Sequence, residues 1–268
     1  MSRKDPPPLR PLTDLERRHY REELRSGRYA ALADAEGFEQ ICFSLEALGL
    51  RLLGLQGDLG QYEDRIAFYA RLSPILTELA KTHPSGFKSF EALYDTVRKA
   101  RNDNMHLGAY ARHATVAAIE LCIGLEDALM VDVKPTVGYV MVKSPITVEP
   151  WQPVAHARQL MLMHSFSFLP VRHRQAWHLL SELALAQFLN ASQTARRTRL
   201  GLTIEEAADH APSLELVPVA QDRLLAAQTT ISEVLQGAKA IGGPTLWLVV
   251  EDGREDRLAG VLSPFELM

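Results

Sequence analysis

The feature that most constrains how this chain can fold is a change of hydrophobic period between Met130 and Pro135. Before it, apolar residues recur at spacings of three and four. Beyond it, short runs rich in Val, Leu, Ile and Trp alternate with helix-like stretches. A period near 3.6 lays a stripe along one side of a helix, whereas alternation or a short apolar run suits a strand. One layer architecture cannot bury both patterns. The chain therefore reads as multidomain, α plus α/β, with an antiparallel helical bundle followed by a strand-containing region.

In the first part, residues 1–12 are Pro-rich, and Thr13-Asp14-Leu15-Glu16 then forms a capping box that opens a polar helix to about Ser26. Residues 1–35 are expected to be an extension carrying that helix. From Phe38 onward, Ile41, Leu45, Leu48, Leu52 and Leu55 make an apolar helical stripe that ends at the glycines 54, 57 and 60. These glycines have the rhythm of a phosphate loop, but no strand precedes them and no Lys-Ser/Thr follows, so they predict a turn between helices. Stripes at Ile66, Tyr69, Leu72, Leu76 and Leu79, at Phe90, Leu93 and Val97, and at Tyr110, Ala114, Ala117, Leu121 and Leu125 predict three more helices. Four helices with short connections predict an antiparallel bundle over 36–132.

In the second part, strands are expected at 138–142, 146–148, 166–171 and 177–180, with helices at 154–163 and 182–189. The order recurs as a strand at 214–217, a helix at 224–235, strands at 246–250 and 258–262, and a terminal helical turn. Such a recurrence is an internal repeat, with copies at about 136–195 and 202–268.

Composition narrows the function classes. Lys plus Arg is 29 against 33 for Asp plus Glu, so the chain has no global footprint of a nucleic-acid binder, and any RNA contact is local, around Arg98, Lys99, Arg101 and Arg112. No apolar run approaches the roughly 18 residues of a membrane span, and the amino terminus lacks the apolar core of a signal peptide. Cys42 and Cys122 sit in apolar helical stretches, as buried thiols of a reducing compartment would. A cytoplasmic protein without membrane contact is expected. No CxxC, HExxH or acidic cluster points to a bound metal.

The stretch Arg101-Asn102-Asp103-Asn104-Met105-His106 places a guanidinium and an imidazole at a junction between helices. RNA supplies its own nucleophile, the 2′-hydroxyl, so cleavage needs only proton transfer and charge stabilisation. His106, with an unperturbed pKa of about 6.5, suits the first task, and Arg101, facing non-bridging oxygens, suits the second. Asn102 would orient the phosphate or the imidazole. Tyr110 and His113 can share a helix face with His106, and with Arg112 they complete a candidate cleft. As a spacing this motif is unspecific: Arg172 and His178 satisfy it too, but within the strand-containing half.

Ser144-Pro-Ile-Thr-Val148, Pro153 to Met161, Phe168-Leu-Pro-Val171 and Gly260-Val-Leu-Ser263-Pro-Phe-Glu266 together resemble a tandem pair of CBS domains, the Bateman module, over about 136–268. The resemblance implies a regulatory adenine nucleotide (ATP, ADP or AMP), with the Ser263 hydroxyl on phosphate, Glu266 on ribose hydroxyls, Gly260 completing the signature, and Thr147 and Val148 as a wall. The chain departs from the family pattern in two places. The first copy reads Leu180-Ser181-Glu182-Leu183-Ala184, without the glycine or the acid, and Glu266 stands where the family usually has Asp. At most one competent cleft is expected.

The helical half resembles the HEPN superfamily, whose Arg-x(4 to 6)-His motif opens the last helix of a dimerising bundle; here the match is Arg101-Asn102 to His106. This implies a homodimer that joins two motifs. The two resemblances together predict a metal-independent endoribonuclease regulated by an adenine nucleotide. The alternative is a non-catalytic homodimeric nucleotide sensor or scaffold.

Overall fold

The computed structural model describes residues 10–34, 37–102, 108–133, 135–238 and 246–268, the side chains of 108–111 excepted. Two compact units divide the chain, Met1–Lys134 and Pro135–Met268, with the boundary at the change of hydrophobic period.

The first unit is a helical bundle of α1 (Asp14–Ala33), α2 (Phe38–Leu53), α3 (Leu59–Ala70), the short α4 (Ala80–Thr82), α5 (Phe90–Asn102) and α6 (Gly108–Met130). The stripes do what their spacing requires. Ile41, Leu45, Leu48, Leu52, Ile66, Val97, Leu121 and Leu125 are fully buried in one core. Three tyrosines join them because each hydroxyl finds a partner. Tyr69 Oη accepts from Leu12 N at 2.7 Å, Tyr62 Oη accepts from Gly57 N at 2.7 Å, and Tyr94 Oη donates to Leu59 O at 2.8 Å.

Two expectations are corrected here. The polar helix is not an extension: α1 packs on α2 and α6 and buries Leu24, Arg25, Gly27 and Ala31. Its inner face sets Arg25 among Leu24, Gly27 and Ala31, which concealed it. The stripe from Ile66 to Leu79 is also not one helix. It breaks after Ala70 and resumes beyond Pro74 as a π-helical turn, Ile75–Leu79. Proline has no N–H to donate and restricts the residue before it, so a helix cannot run through.

In the second unit, α7 (Val137–Val140) and β1 (Val142–Lys143) precede α8 (Val154–His164), β2 (Phe168–His173), β3 (Ala176–Ser181) and α9 (Glu182–Leu189). There follow α10 (Gln193–Gly201), α11 (Ile204–Asp209), β4 (Val217–Pro218), β5 (Leu224–Ala226), α12 (Ile231–Ala238), β6 (Trp247–Glu251) and β7 (Arg254–Leu262), with a final 3-10 turn at Pro264–Leu267. Each copy contains a parallel pairing bridged by a helix and then an antiparallel hairpin. Val148 bridges Val171 in parallel around α8, and β5 pairs β6 in parallel around α12. The hairpins are β2–β3 and β6–β7.

Several expected elements shift. The strand expected at 138–142 is mostly α7, because Val137 N and Gly138 N donate to Thr229 O and Ala227 O rather than to a ladder. The expected helix at 224–235 begins as β5, and α12 starts only at Ile231, behind a cap in which Thr230 N donates to Glu233 Oε2. Strand is assigned at neither 146–148 nor 214–216.

The copies are not separate compact blocks either. β1 of the first pairs with β7 of the second, Val142 opposite Val261 and Lys143 opposite Gly260, giving the sheet β1-β7-β6-β5. Reciprocally, β4 pairs with β3, Leu179 opposite Val217, giving β2-β3-β4. Each copy completes the other's sheet. Trp177 Nε1 adds a link between them, donating to Glu255 O at 2.8 Å.

Candidate functional site

The bundle motif comes first. Arg101 lies in the last turn of α5 with its side chain committed: Nε donates to Glu46 Oε1 at 3.2 Å, and the guanidinium lies over the Phe43 ring, 5.2 Å from its centroid. Asn102 follows as an exposed residue at the end of α5. Arg112 and His113 are exposed on α6. His106 lies outside the described residues, as does the side chain of Tyr110. Of the other local cations, Arg98 donates to Asp95 at 2.6 Å and Lys99 pairs with the same carboxylate at 2.7 Å. Arg98, Lys99 and Arg101 thus spend much of their charge within the bundle.

The second unit holds a cleft of about 1090 Å³ whose walls come from both copies. The ends of β3 and β7 face it in matching fashion. Ser181 closes β3 opposite Phe168, and Ser263 follows Leu262, which pairs with Trp247 next to Leu246. Phe168, Leu246 and both serines line the cleft. Each serine caps the turn that follows it. Ser181 Oγ accepts from Ala184 N at 3.0 Å, and Ser263 Oγ accepts from Phe265 N at 3.2 Å. Serine at such a position is favoured because it satisfies an N–H that the first helical turn leaves open.

Only the second copy adds an acid three residues on. Glu266 Oε2 accepts from Ser263 N at 2.7 Å and from Ser263 Oγ at 2.6 Å, which ties hydroxyl and carboxylate into one polar corner. At the same place in the first copy stands Ala184, which is buried. Phe166, Phe168 and Phe265 supply apolar wall, and Arg223 supplies a cation. Ser144 and Ser165, also in the lining, hold left-handed backbone at φ 51° and 55°, uncommon for a residue with a Cβ.

Ser263 and Glu266 are therefore together at the cleft. Gly260 is not in its lining: it lies in β7 against Met141 and Val142, where a side chain would collide. Thr147 and Val148 are also absent from the wall. Val148 is core, its N–H donated to Pro170 O at 3.0 Å, and the neighbouring Ile146 takes the wall position.

No protein-family model matches the chain, and no curated protein matches it. Solved structures similar to it each span about half of it. An acetoin utilization protein from Vibrio cholerae matches at 16% identity over 50% of this chain and 88% of its own, with a TM-score of 0.38. A CBS-domain-containing protein from Agrobacterium tumefaciens matches at 14% identity over 51% of this chain and 92% of its own, TM-score 0.37. CBSX2, solved in complex with AMP, matches at 20% identity over 50% of this chain and 92% of its own, TM-score 0.36.

Residues that sequence reading did not single out complete the cleft. Arg223 falls in no motif, Phe166 and Phe168 were expected only as strand residues, and Phe265 only as a spacer in the 260–266 stretch, so none was expected as a site residue. Glu182 was visible only as part of a degenerate signature. Among the described residues no group of three or more His, Cys, Asp or Glu is arranged to hold a metal, and no helix is long and apolar enough to cross a membrane.

Proposed function

We propose that the protein is a non-catalytic nucleotide sensor of CBS type: the cleft of the second unit takes an adenine nucleotide, and the helical bundle mediates homodimerisation or partner binding. The observation that carries this reading is the polar corner of Ser263 and Glu266 on an apolar, phenylalanine-bearing cleft built by two reciprocally completed copies. A carboxylate is a strong acceptor for two vicinal ribose hydroxyls, and the Ser263 hydroxyl, on turning away from Glu266, can donate to a phosphate oxygen. Aromatic walls suit a flat base. CBSX2 with AMP is one CBS protein that carries such a ligand.

Isothermal titration of the protein with AMP, ADP and ATP tests the reading. Glu266→Gln is the informative variant, because an amide oxygen can still accept from Ser263 N and keep the turn capped while the charge is gone. Heat from wild type that weakens at least severalfold in the variant supports the sensor. Absence of heat with all three compounds rejects it.

A HEPN-type endoribonuclease, with Arg101 and His106 acting on RNA, stands second, because Arg101 would have to leave both Glu46 and Phe43 to reach a phosphate. RNA cleavage in chelator by wild type, lost in His106→Ala, would put it first.

A further inference from the structure

We infer that the cleft discriminates by charge, taking a purine nucleoside with at most one phosphate and disfavouring di- and triphosphates. This rests on the nucleotide-sensing reading and specifies its ligand. Space does not decide the matter, since about 1090 Å³ lies at the upper end of the usual range for small-molecule sites and admits a triphosphate. Charge does. Among the described residues of the lining, Arg223 is the one cation, and Glu182 and Glu266 are anions. The wall therefore carries a formal charge of one negative unit before any ligand arrives.

A ligand with a single phosphate can be matched by Arg223, and a nucleoside needs no cation at all. Each further phosphate adds negative charge beside two carboxylates, and among the described lining residues no second guanidinium or ammonium meets it. Helix amino termini, the usual substitute for side-chain cations, are already engaged here. At the start of α9, Ala184 N is taken by Ser181 Oγ, Glu182 N donates to Ser167 O, and the Glu182 carboxylate sits in the first turn. At the final turn, Phe265 N is taken by Ser263 Oγ, and the Glu266 carboxylate again lies within the first turn, three residues after its cap.

The test is calorimetry at near-physiological salt with adenosine, 5′-methylthioadenosine, AMP, ADP and ATP, the last two with and without magnesium. The expected order places adenosine, methylthioadenosine or AMP roughly tenfold or more tighter than ATP. Glu182→Gln is expected to narrow that gap by strengthening ATP binding severalfold relative to adenosine binding. Binding of ATP, free or with magnesium, as tight as that of the best nucleoside overturns the charge argument and leaves the sensor reading intact. An ATP affinity unmoved in Glu182→Gln overturns it as well. No heat from any of the five compounds overturns the sensor reading itself.

Discussion

The Arg28 guanidinium meets Glu126 in a fork, Nε to Oε1 at 2.8 Å and Nη2 to Oε2 at 3.0 Å, and so ties α1 to α6 through two side chains that are each nearly buried. The hydrogen bond to Glu126 holds the Arg28 guanidinium above its ordinary pKa, so Arg28 stays charged inside the bundle. Removing one partner leaves the other desolvated without its hydrogen bonds. Arg28→Ala or Glu126→Ala is expected to cost about 3–5 kcal/mol in urea denaturation, while replacing the pair by Met and Leu recovers much of the loss. A single variant within about 0.5 kcal/mol of wild type would show that the fork contributes little.

A second carboxylate makes stability depend on pH. Glu16 accepts from Arg51 Nε at 2.6 Å, Arg51 Nη2 at 2.9 Å and Thr13 N at 2.9 Å. The Arg51 hydrogen bond first, and the Thr13 backbone N–H after it, lower its pKa from the ordinary 4.5 to about 2. Between those values the unfolded chain binds a proton that the folded one does not. The stabilisation is therefore present above pH 4.5 and lost as pH falls toward 2. Asp95, Glu206 and Glu233 are lowered as well, so the quantity to measure is the difference between wild type and Glu16→Gln. The variant should be less stable at pH 6, and its deficit should vanish by about pH 2. A constant deficit across that range would contradict the assignment.

The bundle core was readable because a 3.6-residue stripe needs no tertiary knowledge: Ile41, Leu45, Leu48 and Leu52 declare their buried face from spacing alone. The packing of α1 escaped because its inner face sets Arg25 and Arg28 beside Leu24 and Ala31, and burial of such arginines depends on partners such as Glu126, 98 positions after Arg28. The hairpins β2–β3 and β6–β7 are local and were legible. The reciprocal pairing of β1 with β7 and of β4 with β3 was not, since register between two-residue strands and distant partners is set by packing. The same division holds at the cleft. Ser263 and Glu266 were expected from the family resemblance of the 260–266 stretch, whereas Arg223 and Phe166 join them only in space. Gly260 was expected to bind nucleotide as part of the signature, whereas in the structure close approach of β1 is what calls for glycine there.

Both cysteines are held as thiols by burial. Desolvation pushes Cys42 up to about 12 from an ordinary 9.0 and Cys122 well above it. A thiol must lose its proton to attack a disulfide. Neither residue should react with a chromogenic disulfide reagent at pH 8 in the folded protein, and two thiols per chain should appear after denaturation. Rapid reaction of even one before unfolding would mean that the core between α2 and α6 opens readily.

Gly260 offers a test of the strand exchange that shapes the cleft. A Cβ there would stand 2.6 Å from Met141 Sδ and 2.8 Å from Val142 O. The thioether can turn away, but the carbonyl belongs to β1 and moves only if the strand moves. Lys143 opposite Gly260 is one of the two register pairs that hold β1 on β7. Gly260→Ala is therefore expected to destabilise by about 1–3 kcal/mol through overpacking. Because Ser263 lies three residues further along the same chain segment, nucleotide affinity should fall with it. Gly201, at the end of α10 with nothing within 4 Å of its would-be Cβ, is the matched control, and Gly201→Ala should be neutral or slightly stabilising. Equal thermal denaturation midpoints for the two variants would remove close strand approach as the reason for glycine at 260.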